Sequence, residues 1–327
     1  MISRLFRAGN ISAVRGARIA ALFAVGGLAV CAALAAGRPQ IAIDDTRGFP
    51  ESMTSTANGT VFFGSISKGM VYRAAPGSAS AEPWIKPGTG GLNTVLGVFA
   101  DEKARTLWVC SSVIPGVSKP DAKEGTALKA FDIKTGAFKA SYAFPGGKGI
   151  CNDIAVAPDG TIYATETGEG QILRLKKGAS ALEVWASGPL LASADGIALL
   201  ADGSVYINGF TSNLFVRVPV KADGSAGPAE KLDTSRPLKS PDGLRSVGPK
   251  TMLMAEGEGR LDEVTVQGNK ATIRVLKDGL QGPTAVALVG GTAFVLEAKL
   301  NYFMDPKMKG QDPGPLRALA VPYRAPK

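Results

Sequence analysis

The sequence predicts an all-β protein: a six-bladed β-propeller of four-stranded antiparallel blades. Three observations carry the prediction. A strand–turn–strand frame recurs six times along the 327 residues. The copies stand roughly 41 to 57 residues apart, the period of propeller blades. Each gap leaves room for two further strands, which completes a four-stranded blade.

The first copy is ESMTSTANGTVFFGSI, in which Glu51 heads a strand, Asn58-Gly59 turns it and TVFFGSI returns. The second, VLGVFADEKARTLWVCSS, turns over 101–105 and has no polar head. The third, NDIAVAPDGTIYATET, is headed by Asn152 and turns at Asp159-Gly160. The fourth, DGIALLADGSVYINGF, is headed by Asp195 and turns at Asp202-Gly203. The fifth, DGLRSVGPKTMLMAEG, is headed by Asp242 and turns through Gly248-Pro249-Lys250. The sixth, PTAVALVGGTAFVLEA, turns at Gly290-Gly291, again without a polar head. Asn-Gly and Asp-Gly between apolar runs are strong hairpin signals. Every returning strand begins with Thr or Ser: Thr60, Thr106, Thr161, Ser204, Thr251 and Thr292.

MVYRAAP, LKAFDIK, QILRLKK, LFVRVPV, RLDEVTV and LRALAVPY suit third strands. EPWIKP, KASYAF, LEVWAS, EKLDT and TIRVLKD suit fourth strands. The last copy lacks a fourth strand before the sequence ends. QIAIDD, just after the N-terminal segment, is expected to fill that place. The N- and C-terminal strands would then close the ring and leave no open edge. A β-sandwich does not account for six near-equal repeats.

Residues 1–36 read as an export signal. Arg4, Arg7, Arg15 and Arg18 precede and enter an apolar run, and Ala33-Leu34-Ala35 suits cleavage before Ala36. Residues 37–327 form the single propeller domain. The expected location is the periplasm or outside the cell. Contact with a membrane requires that the segment stay uncleaved as an anchor, or that Cys31 be lipidated. The formal net charge is +9, but the Lys and Arg residues are scattered, so no nucleic-acid partner is expected. Cys110 and Cys151 could pair in an oxidising compartment; two buried thiols are the expected state. The polar stretch 115–126 suits a lid or a plain surface loop.

The chain has no histidine. That excludes a Ser-His-Asp or Cys-His site, His-ligated zinc and any His general base. Carboxylates, amides, hydroxyls, Lys, Arg or a hard cation must carry any chemistry. The first strand of a propeller blade lines the central axis, so the polar heads Glu51, Asn152, Asp195 and Asp242 converge at one mouth. Each alone could be a turn cap; four at one phase of the repeat point to a shared ligand. Three carboxylates brought together repel, and a cation relieves that repulsion. An all-oxygen set of this kind suits Ca²⁺ best, with Mg²⁺, Mn²⁺ or Zn²⁺ as other choices. Asp153 beside Asn152 is an outer or capping residue. Glu166, Asn208, Glu256 and Glu297, late in the second strands, are weaker candidates for outer or substrate contacts, because alternation turns about half of such positions away.

PES, CNDIAVAPDGTIYATET, ADGIALLADGSVYINGF and SPDGLRSVG, taken in order, resemble the senescence-marker-protein/gluconolactonase family, which includes regucalcin and the luciferin-regenerating enzymes. The resemblance spans about residues 44–322. It implies a six-bladed propeller with one divalent metal in its channel and, often, lactone hydrolysis. It implies that Glu51 and the Asn152-Asp153 motif serve the metal, and that Asp242, in Ser240-Pro241-Asp242-Gly243, is both ligand and general base. Two positions depart from the pattern. Asp195 stands where the family usually has Asn. Ile150 stands where sugar-lactone members often carry Arg, which turns the expectation toward a more apolar lactone or ester. The expected function is Ca²⁺-dependent hydrolysis of a lactone or related cyclic ester, with Asp242 taking a proton from water and a small molecule as substrate. The alternatives are a non-catalytic metal-binding propeller that binds a ligand or protein, and a strictosidine-synthase-like enzyme.

Overall fold

The computed structural model describes residues 38–118 and 124–324. The expected signal segment, 1–36 with Cys31, lies outside the described residues, as do residues 119–123 of the 115–126 stretch. Strand β1 (Gln40–Ile43) precedes a first group, β2 (Pro50–Ser55), β3 (Val61–Ser65), β4 (Met70–Ala74) and β5 (Ser80–Ile85). The second is β6 (Thr94–Asp101), β7 (Thr106–Ser112), β8 (Ala127–Asp132) and β9 (Phe138–Ala143). The third is β10 (Cys151–Val156), β11 (Ile162–Glu166), β12 (Gln171–Leu175) and β13 (Glu183–Ser187). The fourth is β14 (Ala194–Leu199), β15 (Val205–Gly209), β16 (Phe215–Val218) and β17 (Glu230–Lys231), followed by β18 (Asp233–Thr234). The fifth is β19 (Pro241–Ser246), β20 (Thr251–Glu256), β21 (Arg260–Gln267) and β22 (Lys270–Lys277). The last is β23 (Pro283–Val289), β24 (Thr292–Glu297) and β25 (Leu316–Pro322), with a short helix α1 (Asn301–Met304) before β25. Within each group successive strands pair antiparallel, and β1 lies antiparallel beside β25. One end of β1 also runs parallel to β5.

The turn residues form these hairpins for a local reason. Gly59, Gly160 and Gly203 adopt φ of 89°, 90° and 78°, a region open to glycine at no steric cost. The preceding Asn or Asp caps the returning strand: Asn58 Oδ1 accepts from Thr60 N at 3.0 Å, Asp159 Oδ1 from Thr161 N at 2.8 Å and Asp202 Oδ1 from Ser204 N at 3.0 Å. Thr60 and Thr161 add a second bond through Oγ1.

A cross-strand ladder marks the outer strands. Phe62, Arg73 and Glu82 stand opposite one another in the first group, Tyr163, Arg174 and Glu183 in the third, and Tyr206, Arg217 and Glu230 in the fourth. In the fifth the charges exchange places, with Glu263 opposite Arg274. Apolar cores fill the spaces between neighbouring groups. Leu128 and Phe144 of the second, for example, join one cluster with Ile154, Ile162 and Leu173 of the third. Ile41, Met53 and Phe63 join Phe294, Leu296 and Leu316, so the last group packs against the first. Each such Leu, Ile or Phe stabilises the fold by roughly 1.5–3 kcal/mol.

Two expectations are corrected. EKLDT is not one strand. Its first half pairs with β16, Leu232 is buried, and its second half crosses to run parallel with β22. Burying Leu232 between the two short pairings accounts for the break. Cys110 and Cys151 are not two thiols but a disulfide, with Cα atoms 5.1 Å apart. They lie in different groups, on β7 and β10, which pack side by side. A separation of 41 residues conceals that contact in the sequence.

Candidate functional site

The first strands of the groups are neighbours in space: β2 lies against β6 and β23, β10 against β6 and β14, and β19 against β14 and β23. Each of them carries a register shift at one place. The shifts fall between Pro50 and Ser52, Val95 and Val98, Cys151 and Ile154, Ala194 and Ile197, Pro241 and Leu244, and Pro283 and Ala285. A bulge bends a strand and re-aims a side chain. The residues at these bulges include Glu51, Asn152, Asp153, Asp195, Asp242 and Thr284.

Glycine makes the approach possible. A Cβ on Gly196 would stand 2.3 Å from the Asp242 carbonyl oxygen, and one on Gly243 would stand 2.6 Å from that of Thr284. Asp195-Gly196 and Asp242-Gly243 are therefore packing pairs on inner strands, unlike the Asp-Gly pairs of the hairpins. Hydroxyl and amide side chains lock two of these bulges to the next group. Thr165 Oγ1 accepts from Asp153 N at 2.9 Å and donates to the Asp195 carbonyl at 2.6 Å. Asn208 Oδ1 accepts from Gly196 N at 3.0 Å, and its Nδ2 donates to the Asp242 carbonyl at 2.6 Å.

Glu51, Ser52, Asn152, Asp153, Asp195, Asp242, Gly243 and Thr284 line one narrow crevice. The four expected ligands are thus brought together, and each is at most 7% exposed. Asn152 Nδ2 donates to Thr167 Oγ1 and to Asp195 Oδ2, both at 3.0 Å. A carboxylate only accepts, so the amide nitrogen must face Asp195, which leaves Asn152 Oδ1 as its oxygen ligand. Glu51 Oε2, Asp153 Oδ1, Asp195 Oδ1 and Thr284 Oγ1 are buried and without a hydrogen-bond partner. Orphaned buried oxygens of this kind call for an explanation.

The electrostatics agree. Burial, and then repulsion from Asp195 and Asp153, push the Glu51 carboxyl well above its ordinary range. Asp242 is pushed well above by burial, then by Asp195 and Glu51. Asp195 is pushed up to about 7, by burial first and Asp153 second. These are the conditions that a hard cation relieves, and the all-oxygen donor set fits one. Among the described residues, no three Asp, Glu, His or Cys side chains already stand at metal-holding spacing. The candidate set includes an amide, and mutual repulsion works against close spacing of its three carboxylates.

Three expected outer residues lie elsewhere. Glu166, Glu256 and Glu297 are not part of the crevice lining. Each caps the loop leading into its own group's first strand: Glu166 Oε1 accepts from Ile150 N at 2.9 Å, Glu256 Oε1 from Lys239 N at 3.0 Å and Glu297 Oε1 from Gln281 N at 2.8 Å. Arg236 and Arg317 pair with the last two. Asn208 stands behind the crevice as the lock described above.

Sequence reasoning missed Thr284, Ser52, Thr165 and Arg245. Thr284 follows Pro283 as Asp242 follows Pro241, but a hydroxyl there does not stand out as the carboxylates and the amide do. Arg245 Nη1 donates to Asp153 Oδ2 at 2.6 Å, and nothing in the repeat marks it.

No family model matches the chain, and no curated protein matches it. Solved structures do. A luciferin-regenerating enzyme aligns at 14% identity and a TM-score of 0.62, covering 84% of this chain and 93% of its own. The calcium-binding protein regucalcin from Agrobacterium tumefaciens aligns at 17% identity and 0.58, covering 87% and 97%. A gluconolactonase from Xanthomonas campestris aligns at 14% identity and 0.58, covering 83% and 85%. These neighbours match the family that the sequence resembles, and at such identities the likeness is one of fold.

Proposed function

We propose that the six strand groups close as a six-bladed β-propeller and that the protein, exported from the cytoplasm, hydrolyses a lactone or related cyclic ester with the help of Ca²⁺. One observation carries the reading: three buried carboxylates and an amide, from four different first strands, meet in one crevice with unpartnered oxygens. Glu51, Asn152, Asp195 and Asp242 would hold the cation. When bound, it would supply Lewis-acid polarisation of the ester carbonyl.

The chain's own residues divide the remaining work. Asn152 orients Asp195 through its amide hydrogens. Asp242, its backbone fixed by Asn208, takes the proton of a water whose oxygen adds to the carbonyl carbon. The ring C–O bond then breaks, and the leaving oxygen receives that proton. Ile150, bonded through its backbone N–H to Glu166, lies two residues before Asn152. Phe210, 37% exposed, is held through its N–H by Ser193, two residues before Asp195. Ile150, in the place where sugar-lactone members often carry Arg, makes an apolar lactone at least as good a candidate as a polyhydroxy one.

The test is pH-monitored hydrolysis by the protein from residue 37 onward, over sugar, aliphatic and aromatic lactones, after chelation and again with Ca²⁺ restored. Turnover that vanishes and returns supports the reading. No turnover, with Ca²⁺ still raising the melting temperature, favours a non-catalytic binding propeller.

A further inference from the structure

No Lys or Arg lines the acidic crevice, yet one guanidinium lies against its floor. Arg245 Nη1 donates to Asp153 Oδ2 at 2.6 Å and to the Leu244 carbonyl at 2.7 Å. Its Nη2 reaches the carbonyls of Val98 at 3.3 Å and Met53 at 3.4 Å, and Ser52 Oγ at 3.5 Å. The side chain is 12% exposed and that of Asp153 is 5% exposed. Asp153 Oδ2 also accepts from Ile197 N at 3.3 Å. One planar group therefore touches β2, β6 and β10 while belonging to β19.

Arg245 also adjoins two spaces. Above it lies the acidic crevice. Farther along the same strands, toward the hairpins, Arg245, Phe99, Val156, Ile197 and Leu199 line a second cavity of about 160 Å³. Asp153 lines the first space and Arg245 the second, so the ion pair links the two linings.

We propose that Arg245 is a positioning residue for the crevice: its guanidinium, paired with Asp153 and bonded to carbonyls of β2 and β6, fixes the spacing of the inner strands and so of Glu51, Asn152 and Asp242. This assigns Asp153 as the anchor of Arg245, with Oδ2 committed to it. Lysine cannot substitute fully. Its ammonium is a compact point charge, whereas the guanidinium presents five donors in a fixed plane. Only the affinity readout below rests on the proposed cation site.

The test compares Arg245→Met, Arg245→Lys and, as a control on outer strand β13 away from the crevice, Glu183→Gln, all in the full chain. The first readout is native-state hydrogen exchange in chelator. Arg245→Met is expected to speed exchange in β2, β6 and β10 by about 10-fold more than in β24 and β25, because the opening is local. A uniform rise, or none, overturns the proposal. The second readout is Ca²⁺ titration by calorimetry. Loss of a partner that orients ligands weakens metal affinity by about 10–100-fold. Arg245→Met should show that loss, Arg245→Lys a smaller one, and Glu183→Gln none. Tighter binding by Arg245→Met overturns the proposal, since it marks Arg245 as a counter-charge alone. If the unmodified protein binds no divalent cation, the cation reading fails while hydrogen exchange still decides the role of Arg245. If Arg245→Met does not fold, Arg245→Lys carries both readouts.

Discussion

Asp195→Asn should stabilise the metal-free protein at alkaline pH and destabilise it relative to the original chain once Ca²⁺ is added. The carboxyl of Asp195 is pushed up to about 7 by burial and by Asp153. An Asp free in an unfolded chain titrates near 3.9, and each pH unit of difference is worth about 1.4 kcal/mol, which bounds the effect at about 4 kcal/mol. Effective screening inside real proteins, and the coupling to Glu51 and Asp242, reduce this to about 1–2 kcal/mol. The direction follows from linkage. The raised group binds its proton more tightly in the folded state. Its favourable contribution is complete below about pH 4 and is lost as pH rises through about 7. Asparagine does not ionise and suffers no such loss, while its side-chain oxygen still accepts from Asn152 Nδ2.

The assay is a set of melting curves in chelator at pH 5 and pH 8, repeated with saturating Ca²⁺. At pH 8 in chelator the variant should melt about 2–8 °C higher, at roughly 2–4 °C per kcal/mol. At pH 5 only about a third of that difference should remain. Calcium at 100 times its dissociation constant adds about 2.7 kcal/mol to the original chain, and less to a variant that has lost a charged ligand, so the order reverses. Asp262, also pushed up to about 7 by burial and Glu256, is common to both proteins and cancels. No imidazole confuses this pH range, since the chain has no histidine. A variant less stable than the original at pH 8 in chelator, or one that gains equally from Ca²⁺, refutes the reasoning.

Asp242→Asn should keep Ca²⁺ affinity within about 10-fold while turnover falls by about 10²–10⁴, the range for loss of a general base; calorimetry and the pH-monitored assay separate the two. Replacing Cys110 and Cys151 together by Ala should cost about 4 kcal/mol by the chain-entropy relation for a 41-residue separation, read as a lower melting temperature in scanning calorimetry. Glu166→Gln should cost about 1–2 kcal/mol through weaker capping of Ile150, Gly168 and Glu169 N–H groups, and should leave the Ca²⁺-induced rise in melting temperature unchanged. Ile150→Arg should shift the ratio of kcat/KM values toward polyhydroxy lactones, measured as a pair of substrates in one assay.

What the sequence makes legible is what is local. An Asx-Gly pair followed by Thr or Ser fixes a hairpin within four residues, so the strand frames can be read by eye. Third and fourth strands follow by spacing, and β1 pairs with β25 where QIAIDD stands. Relations between groups are hidden. Nothing in EKLDT signals that its second half prefers β22, because the partner lies some 40 residues away. The disulfide joins neighbouring groups and fails to show for the same reason. Glu51, Asn152, Asp195 and Asp242 stand out because they occupy one phase of the repeat. Glu166, Glu256 and Glu297 occupy one phase too, yet their task is to cap backbone N–H groups. Phase alone therefore identifies equivalent positions and leaves their chemistry to be settled by where the carboxylates point.

The contrast between those two acidic sets shows how this fold can hold a costly cluster. At the ends of the second strands, each Glu meets backbone donors, and a carboxylate so bonded is a stabilising cap. At the bulges of the first strands, Asp153 N is committed to Thr165 and Gly196 N to Asn208, while Ile197 N reaches Asp153 Oδ2 at 3.3 Å. The acidic side chains there meet chiefly one another, with a single amide and a single guanidinium for relief. Their arrangement cannot be maintained by its own interactions, because desolvation and repulsion both oppose it. It must be imposed by the surrounding strands, through glycine contacts at Gly196 and Gly243, through Thr165 and Asn208, and through Arg245. A fold that holds three buried carboxylates together against desolvation and repulsion gives the physical ground for reading the crevice as the proposed site.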